Sequence, residues 1–219
     1  MERKYRFQTN LYCITAEELS MGRSNIEVVK EMIAAGVTII QYREKDKAMK
    51  DKYSECCIIR EMTKDAGVTF IVNDDIDLAM VVQADGVHIG QDDLPIEKVR
   101  GLVGNKMIIG ISTHCPEEAQ QAVLAGADYI GVGPMFKTAT KKDACDPVGF
   151  EYLEYVAQNI SIPSVAIGGI KIDNIPQVMK KGAQCVAIIS EITAANNIPE
   201  KINQIREVIK NSIVEEKKR

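Results

Sequence analysis

Eight short apolar runs recur along the chain: LYCIT from Leu11, VTIIQYR from Val37, VTFIVND from Val68, GVHIG from Gly86, KMIIGIS from Lys106, ADYIGVG from Ala127, IPSVAIGG from Ile162 and QCVAIIS from Gln184. Each is apolar on consecutive rather than alternate residues, which predicts strands covered on both faces, the pattern of a parallel sheet. Between them lie SNIEVVKEMIAAG, CPEEAQQAVLAGA and DNIPQVMKKGA, with apolar residues at three-to-four spacing. Ser24, Asp173 and first-turn prolines read as helix starts. Three helical patterns end in AGV, AGA or KGA directly before the next run, a helix, glycine, strand cadence at Gly36, Gly126 and Gly182. No Pro/Gly/Ser-rich linker interrupts the series. Eight βα units in 219 residues predict an α/β fold, a (β/α)8 TIM barrel, as a single domain over 1–219 with polar, fraying ends such as VEEKKR. A doubly wound open sheet would use the same units, because periodicity does not report closure.

The net charge of −4 argues against a general nucleic-acid binder, so any cationic cluster must be local. The six cysteines include no CxxC pair, and no segment reaches the uninterrupted apolar length of a membrane span, which reads as a reduced, cytoplasmic protein. The two histidines, His88 and His114, have no zinc-ligand spacing.

In a barrel of this kind the active site lies at the C-terminal strand ends, and the unusual polar residues fall there. Gln41, Arg43 and Lys45 follow one another at two-residue spacing, which on a strand would aim all three from one face. Lys47 keeps the same rhythm and reads as solvated surface. Run three ends in Asn73, Asp74 and Asp75. Run four holds His88 and is followed by Gln91, Asp92 and Asp93, and run five ends in Ser112 with His114 just after. Clustered carboxylates at neighbouring strand ends repel unless a cation sits between them. Asp74 and Asp93 opposite Arg43 and Lys45 therefore point to a Mg²⁺ diphosphate site. The segment 131–142 offers small residues, Thr138, Thr140, Lys137, Lys141 and Lys142, a set suited to phosphate. Gly168 and Gly169 of IGGI would bring backbone amides near a second phosphate. Each motif has a plainer reading: VNDD as a helix cap, GQDD as a loop before Pro95, the basic segment as a flexible loop, IGGI as a turn, His88 as a satisfied core histidine.

Taken in order, QYREK, VNDD, GVHIGQDD, GIST with the following His114, GVGPMF with KTATKKDA, IGGI and VAIIS resemble the thiamine phosphate synthase family over roughly Gln41 to Ser190. The resemblance implies a Mg²⁺-assisted, dissociative transfer. The 4-amino-2-methylpyrimidin-5-ylmethyl group would pass from its diphosphate to the ring nitrogen of 4-methyl-5-(2-phosphoethyl)thiazole. By the same resemblance, Arg43, Lys45, Asn73 and Lys141 would bind diphosphate, and Asp74 and Asp93 would hold Mg²⁺. Gln41 and His88 would line the pyrimidine pocket, with Ser112 near its reacting face. Thr138, Thr140, Gly168, Gly169, Ile189 and Ser190 would receive the thiazole phosphate. Arg43, Lys45, Ser112 and Lys141 would carry the catalysis. The expected partners are these two small molecules, not nucleic acid or membrane, and a homo-oligomer is left open. Two departures stand out: Lys137 where the family usually has a proline, and Glu191 beside the thiazole phosphate. The competing readings are a thiazole tautomerase paralogue using His114, a non-catalytic barrel that senses thiamine precursors, and a phosphate-binding barrel isomerase.

Overall fold

A computed structural model describes residues 9–138, 140 and 145–216. The eight apolar runs become strands β1 (Leu11–Ile14), β2 (Ile39–Tyr42), β3 (Thr69–Asn73), β4 (Gly86–Ile89), β5 (Ile108–Thr113), β6 (Tyr129–Val132), β7 (Ser164–Ala166) and β8 (Val186–Ile188). Helices follow them: α1 (Asn25–Ala34), α2 (Met49–Asp65), α3 (Ile76–Val81), α4 (Ile96–Val103), α5 (Pro116–Ala125), α6 (Phe150–Asn159), α7 (Ile175–Lys180), α8 (Ser190–Thr193) and α9 (Ile198–Glu216). Every strand pairs in parallel with its sequence neighbours, and β1 pairs with β8 through Leu11 and Val186, Tyr12 and Ala187, and Cys13 and Ile188. That last pairing closes the barrel and rules out the open sheet.

Closure explains why the strands are apolar on both faces. Residues facing outward, such as Ile40, Phe70, Val72, Ile109 and Ile130, pack against the ring of helices. The alternate set, Tyr12, Ile14, Ile39, Ile71, Ile108, Tyr129, Val165, Cys185 and Ala187, fills the barrel interior. Each fully buried aliphatic contributes about 1.5–3 kcal/mol relative to exposure, so both faces hold the barrel shut.

The helix boundaries follow local chemistry. Ser24 caps α1 in a reciprocal box with Glu27, and Pro116 opens α5 at a position that needs no N–H donor. The start of α7 differs from expectation: the capping position is Asn174, whose side chain accepts from the Lys171 N–H at 2.8 Å, so the turn begins one residue beyond Asp173. Gly126 ends α5 at φ +88°, in the left-handed region where a side chain would be strained. At the opposite end of the barrel from the site, aspartates placed just before two strands act as clamps. The Asp85 carboxylate accepts from the Phe70 N–H and from Arg60, both at 2.8 Å, and Asp128 does the same for Ile109 and Arg100.

Candidate active site

A cavity of about 490 Å³ opens at the C-terminal strand ends. It is lined by all the described residues proposed above for substrate or metal: Gln41, Arg43, Lys45, Asn73, Asp74, His88, Asp93, Ser112, Thr138, Thr140, Gly168, Gly169, Ile189 and Ser190. Lys141 lies outside the described residues.

The geometry behind Gln41, Arg43 and Lys45 corrects the sequence reading. Strand β2 ends at Tyr42, so only Gln41 projects from it as a strand residue. The Arg43 N–H donates to Thr15 Oγ1 at 3.0 Å, and the Thr15 N–H donates to the Gln41 carbonyl at 2.9 Å. This stitch to the end of β1 turns the chain while keeping Arg43 and Lys45 on the cavity. Lys47 does not continue the rhythm and is not solvated surface. Its ammonium bonds Glu17 at 2.7 Å and Glu55 at 2.6 Å. Asn25 donates to Glu44 (2.9 Å) and Glu55 (3.2 Å), and Tyr42 donates to Glu55 at 2.7 Å. Burial alone would depress the Lys47 pKa, yet Glu17 and Glu55 hold it above the ordinary value. Burial would likewise raise Glu55, but Lys47, Tyr42 and Asn25 keep it below the usual carboxylate range. Lys47→Met should therefore cost about 1–3 kcal/mol in urea unfolding at neutral pH, because it leaves acidic partners uncompensated. Glu55 contributes its stability above its unfolded pKa and loses it as pH falls through the lower, folded value. Lys47 contributes below its own unfolded pKa. The gap between wild type and variant should accordingly be full at neutral pH and close in acid.

The carboxylates sort themselves by partner. Asp75 stands at the capping position of α3 and pairs with Lys52 at 2.8 Å, away from the proposed ligand pair. Asp74 adopts φ +60°, a left-handed conformation uncommon outside glycine, and pairs with Lys45. Asp93 accepts from the Gly90 N–H at 2.6 Å. Partial desolvation pushes the Asp93 pKa up, the Gly90 bond opposes this, and neighbouring Asp74 pushes it further up. A carboxylate whose proton affinity is raised by burial and by a second carboxylate beside it suits a divalent cation placed between the two. Among the described residues no group of three or more His, Cys, Asp or Glu side chains could hold a metal, so this pair needs oxygens from substrate or water.

Below the mouth, a chain of hydrogen bonds crosses the barrel interior. Gln41 Nε2 donates to the Tyr12 hydroxyl at 3.0 Å, and the Tyr12 and Tyr129 hydroxyls are 2.9 Å apart. Tyr129 meets His88 Nδ1 at 2.9 Å, and His88 Nε2 meets Ser112 Oγ at 3.0 Å. Burial drives both phenol pKa values up, so both stay protonated. Tyr12 and Tyr129 line the cavity and were missed in the sequence because an aromatic in an apolar run reads as core. Strand parity was the available signal: Tyr129 points inward with Gly131, and Gly131 is in register with Ser112. His88 is thus both a satisfied interior histidine and a cavity residue.

His114 lines the cavity and bonds Glu118 twice, through its N–H at 2.7 Å and Nδ1 at 2.9 Å, as a residue leading into α5. In IGGI, Gly168 and Gly169 have φ +87° and +66°. A Cβ on Gly169 would lie 2.7 Å from the Lys137 carbonyl oxygen, and one on Gly168 would strike Pro134. The loop after β6 is drawn against this turn by Met135 N–H donating to Ile167 (2.8 Å) and Phe136 N–H to Gly168 (3.1 Å). Glycine is required there by close approach as well as by conformation. Glu191 bonds Lys201 of α9 at 3.4 Å, which neutralises its charge beside Ser190, and Lys137 faces the cavity.

Residues 11–192 match the family model described as thiamine monophosphate synthase. A thiamine-phosphate synthase of Pelotomaculum thermopropionicum is 60% identical over 202 residues, covering 92% of this chain and 93% of its own length. One from Lawsonia intracellularis is 54% identical over 200 residues, covering 91% and 92%. A solved thiamine phosphate pyrophosphorylase from Pyrococcus furiosus matches at a TM-score of 0.84 and 35% identity, over 93% of this chain and 96% of that one. A 3-hexulose-6-phosphate synthase, at a TM-score of 0.62 and 17% identity, shares the fold alone.

Proposed function

This chain belongs to the thiamine monophosphate synthase family, transferases of thiamine biosynthesis, and we propose how its own residues carry that reaction. The substrates are 4-amino-2-methyl-5-(diphosphooxymethyl)pyrimidine and 4-methyl-5-(2-phosphoethyl)thiazole. The diphosphate departs with the C–O bonding pair and leaves a pyrimidinylmethyl cation that its 4-amino group stabilises. The thiazole ring nitrogen then supplies the pair for the new C–N bond, giving thiamine phosphate. No protein nucleophile is needed, so catalysis reduces to holding two anions in line and neutralising the one that leaves.

The observation that carries this reading is the cavity mouth, where Arg43 and Lys45 stand beside the Asp74 and Asp93 carboxylates. Arg43, Lys45, Asn73 and Lys141 grip the diphosphate. A Mg²⁺ ion held by Asp74 and Asp93 would draw further charge off the departing group. Gln41 and His88 orient the pyrimidine, Ser112 meets its reacting face, and Thr138, Thr140, Gly168, Gly169, Ile189 and Ser190 hold the thiazole phosphate. The pairing of Glu191 with Lys201 and the presence of Lys137 favour phosphate on that side. A tautomerase has no leaving diphosphate and no use for such a mouth, whereas a sensing barrel could bind the same diphosphate but would not release it. Six unpaired cysteines favour a reducing, cytoplasmic setting, and among the described residues no helix is long and apolar enough to cross a membrane.

The test is incubation with both substrates, with Mg²⁺ or with EDTA. Thiamine phosphate and diphosphate should form in equal amounts only with the metal. Substrate binding without diphosphate release would sink the reading.

A further inference from the structure

We propose that Tyr129 is a positioning residue that acts through His88 on Ser112, fixing the serine hydroxyl as a hydrogen-bond donor into the cavity. The inference rests on the synthase reading and assigns a role to a phenol that makes up part of the barrel's inner packing. Its basis is the chain of contacts from β2 to β5. Gln41 Nε2 can only donate, and it donates to Tyr12. Carried onward in the same sense, Tyr12 donates to Tyr129 and Tyr129 donates to His88 Nδ1. This places the imidazole proton on Nε2, which donates to Ser112 Oγ. The serine then keeps its own proton for an acceptor atom of the pyrimidine substrate.

The barrel is shaped around this chain. Gly110 is in register with Tyr129, and a Cβ there would lie 2.1 Å from the ring carbon Cζ and 2.5 Å from the phenol oxygen, so it would displace the whole ring. A Cβ on Gly131 would lie 3.5 Å from His88 Cε1 and 3.6 Å from Ser112 Cα, so any larger side chain there would crowd both groups. Gln41, Tyr12, Tyr129 and His88 are all buried, where a satisfied polar chain rigidifies its members. The tyrosine pair thus braces two walls of the cavity at once, Gln41 on β2 and Ser112 on β5.

The experiment combines a mutant cycle with nitrogen NMR on the intact protein. Tyr129→Phe should lower kcat about tenfold with the thiazole phosphate KM within about twofold, the scale of one lost hydrogen bond at the reacting end. Ser112→Ala should lower kcat comparably, and the double variant should be no worse than Ser112→Ala alone. Additive losses would mean that Tyr129 acts independently of the serine, which overturns the proposal. Gly110→Ala, which disturbs the phenol from outside the chain, should reproduce the Tyr129→Phe signature. Independently of turnover and of how any variant folds, ¹⁵N spectra of the wild type should show His88 in its Nε2-protonated tautomer, and His114 is the only other histidine to assign. An Nδ1-protonated ring would reverse the chain and refute the assignment. Wild-type protein that gives the expected spectrum but no thiamine phosphate would count against the synthase reading and leave the chain's direction established.

Discussion

Asp93→Asn is expected to lower Mg²⁺-dependent turnover by at least about 100-fold while leaving the fold intact. Asparagine can still accept from the Gly90 N–H, as Asp93 does at 2.6 Å, so the loop geometry survives. What disappears is the charge. In the folded chain the Asp93 pKa is raised, first by desolvation and then by Asp74, so its ionised form costs stability. The sign follows by linkage: a carboxyl whose folded pKa lies above its unfolded value weakens the native state as pH rises through the unfolded value. At neutral pH the metal-free variant should therefore melt at or above the wild-type temperature. Mg²⁺ should raise the melting temperature of the wild type and have a much smaller effect on the variant. Loss of activity together with loss of metal-free stability would mean that Asp93 holds structure, and wild-type Mg²⁺ dependence in the variant would remove it from the metal site.

The contrast between a destabilising and a structural carboxylate bears on what the sequence discloses. Asp74, Asp75 and Asp93 look alike in VNDD and GQDD, yet Asp75 is tied to Lys52 of α2 while Asp74, paired with Lys45, faces Asp93 at the cavity. Which is which depends on helix α2 delivering Lys52, a tertiary fact. Barrel strands were legible because burial on both faces writes a continuous apolar run. Closure was not, since it depends on β1 meeting β8 across the whole chain. Arg43 and Lys45 were placed on the cavity for the wrong reason: the chain leaves β2 at Tyr42 and the Thr15 stitch, rather than strand periodicity, turns them inward. Once the strand ends, the two-residue rhythm loses meaning, and Lys47 falls among Glu17 and Glu55 instead of in water. Tyr12 and Tyr129 were hidden by their own hydrophobicity, because their rings belong to the interior core while only their hydroxyls join the polar chain.

Lys45→Met is expected to reduce kcat/KM for the pyrimidine diphosphate by about 100-fold, the scale of removing one charged group from a developing anion. A second effect separates this lysine from Arg43. Lys45 pairs with Asp74 and also holds the Asp93 pKa down from where desolvation and Asp74 would otherwise take it. Without it, Asp93 takes up a proton at higher pH, and Asp74 loses its compensating cation. If activity requires both carboxylates ionised, the acid limb of the kcat/KM profile should move to higher pH in Lys45→Met at limiting Mg²⁺. It should return toward the wild-type position as Mg²⁺ is raised, because metal and proton compete for the same oxygens. Arg43→Met should lower kcat/KM with less movement of the acid limb, since Lys45 and not Arg43 is among the largest influences on the Asp93 pKa. Equal shifts in the two variants would show that the cations act as one undifferentiated field. A shift confined to Lys45 would show that this lysine tunes the proposed metal ligands in addition to gripping the leaving group.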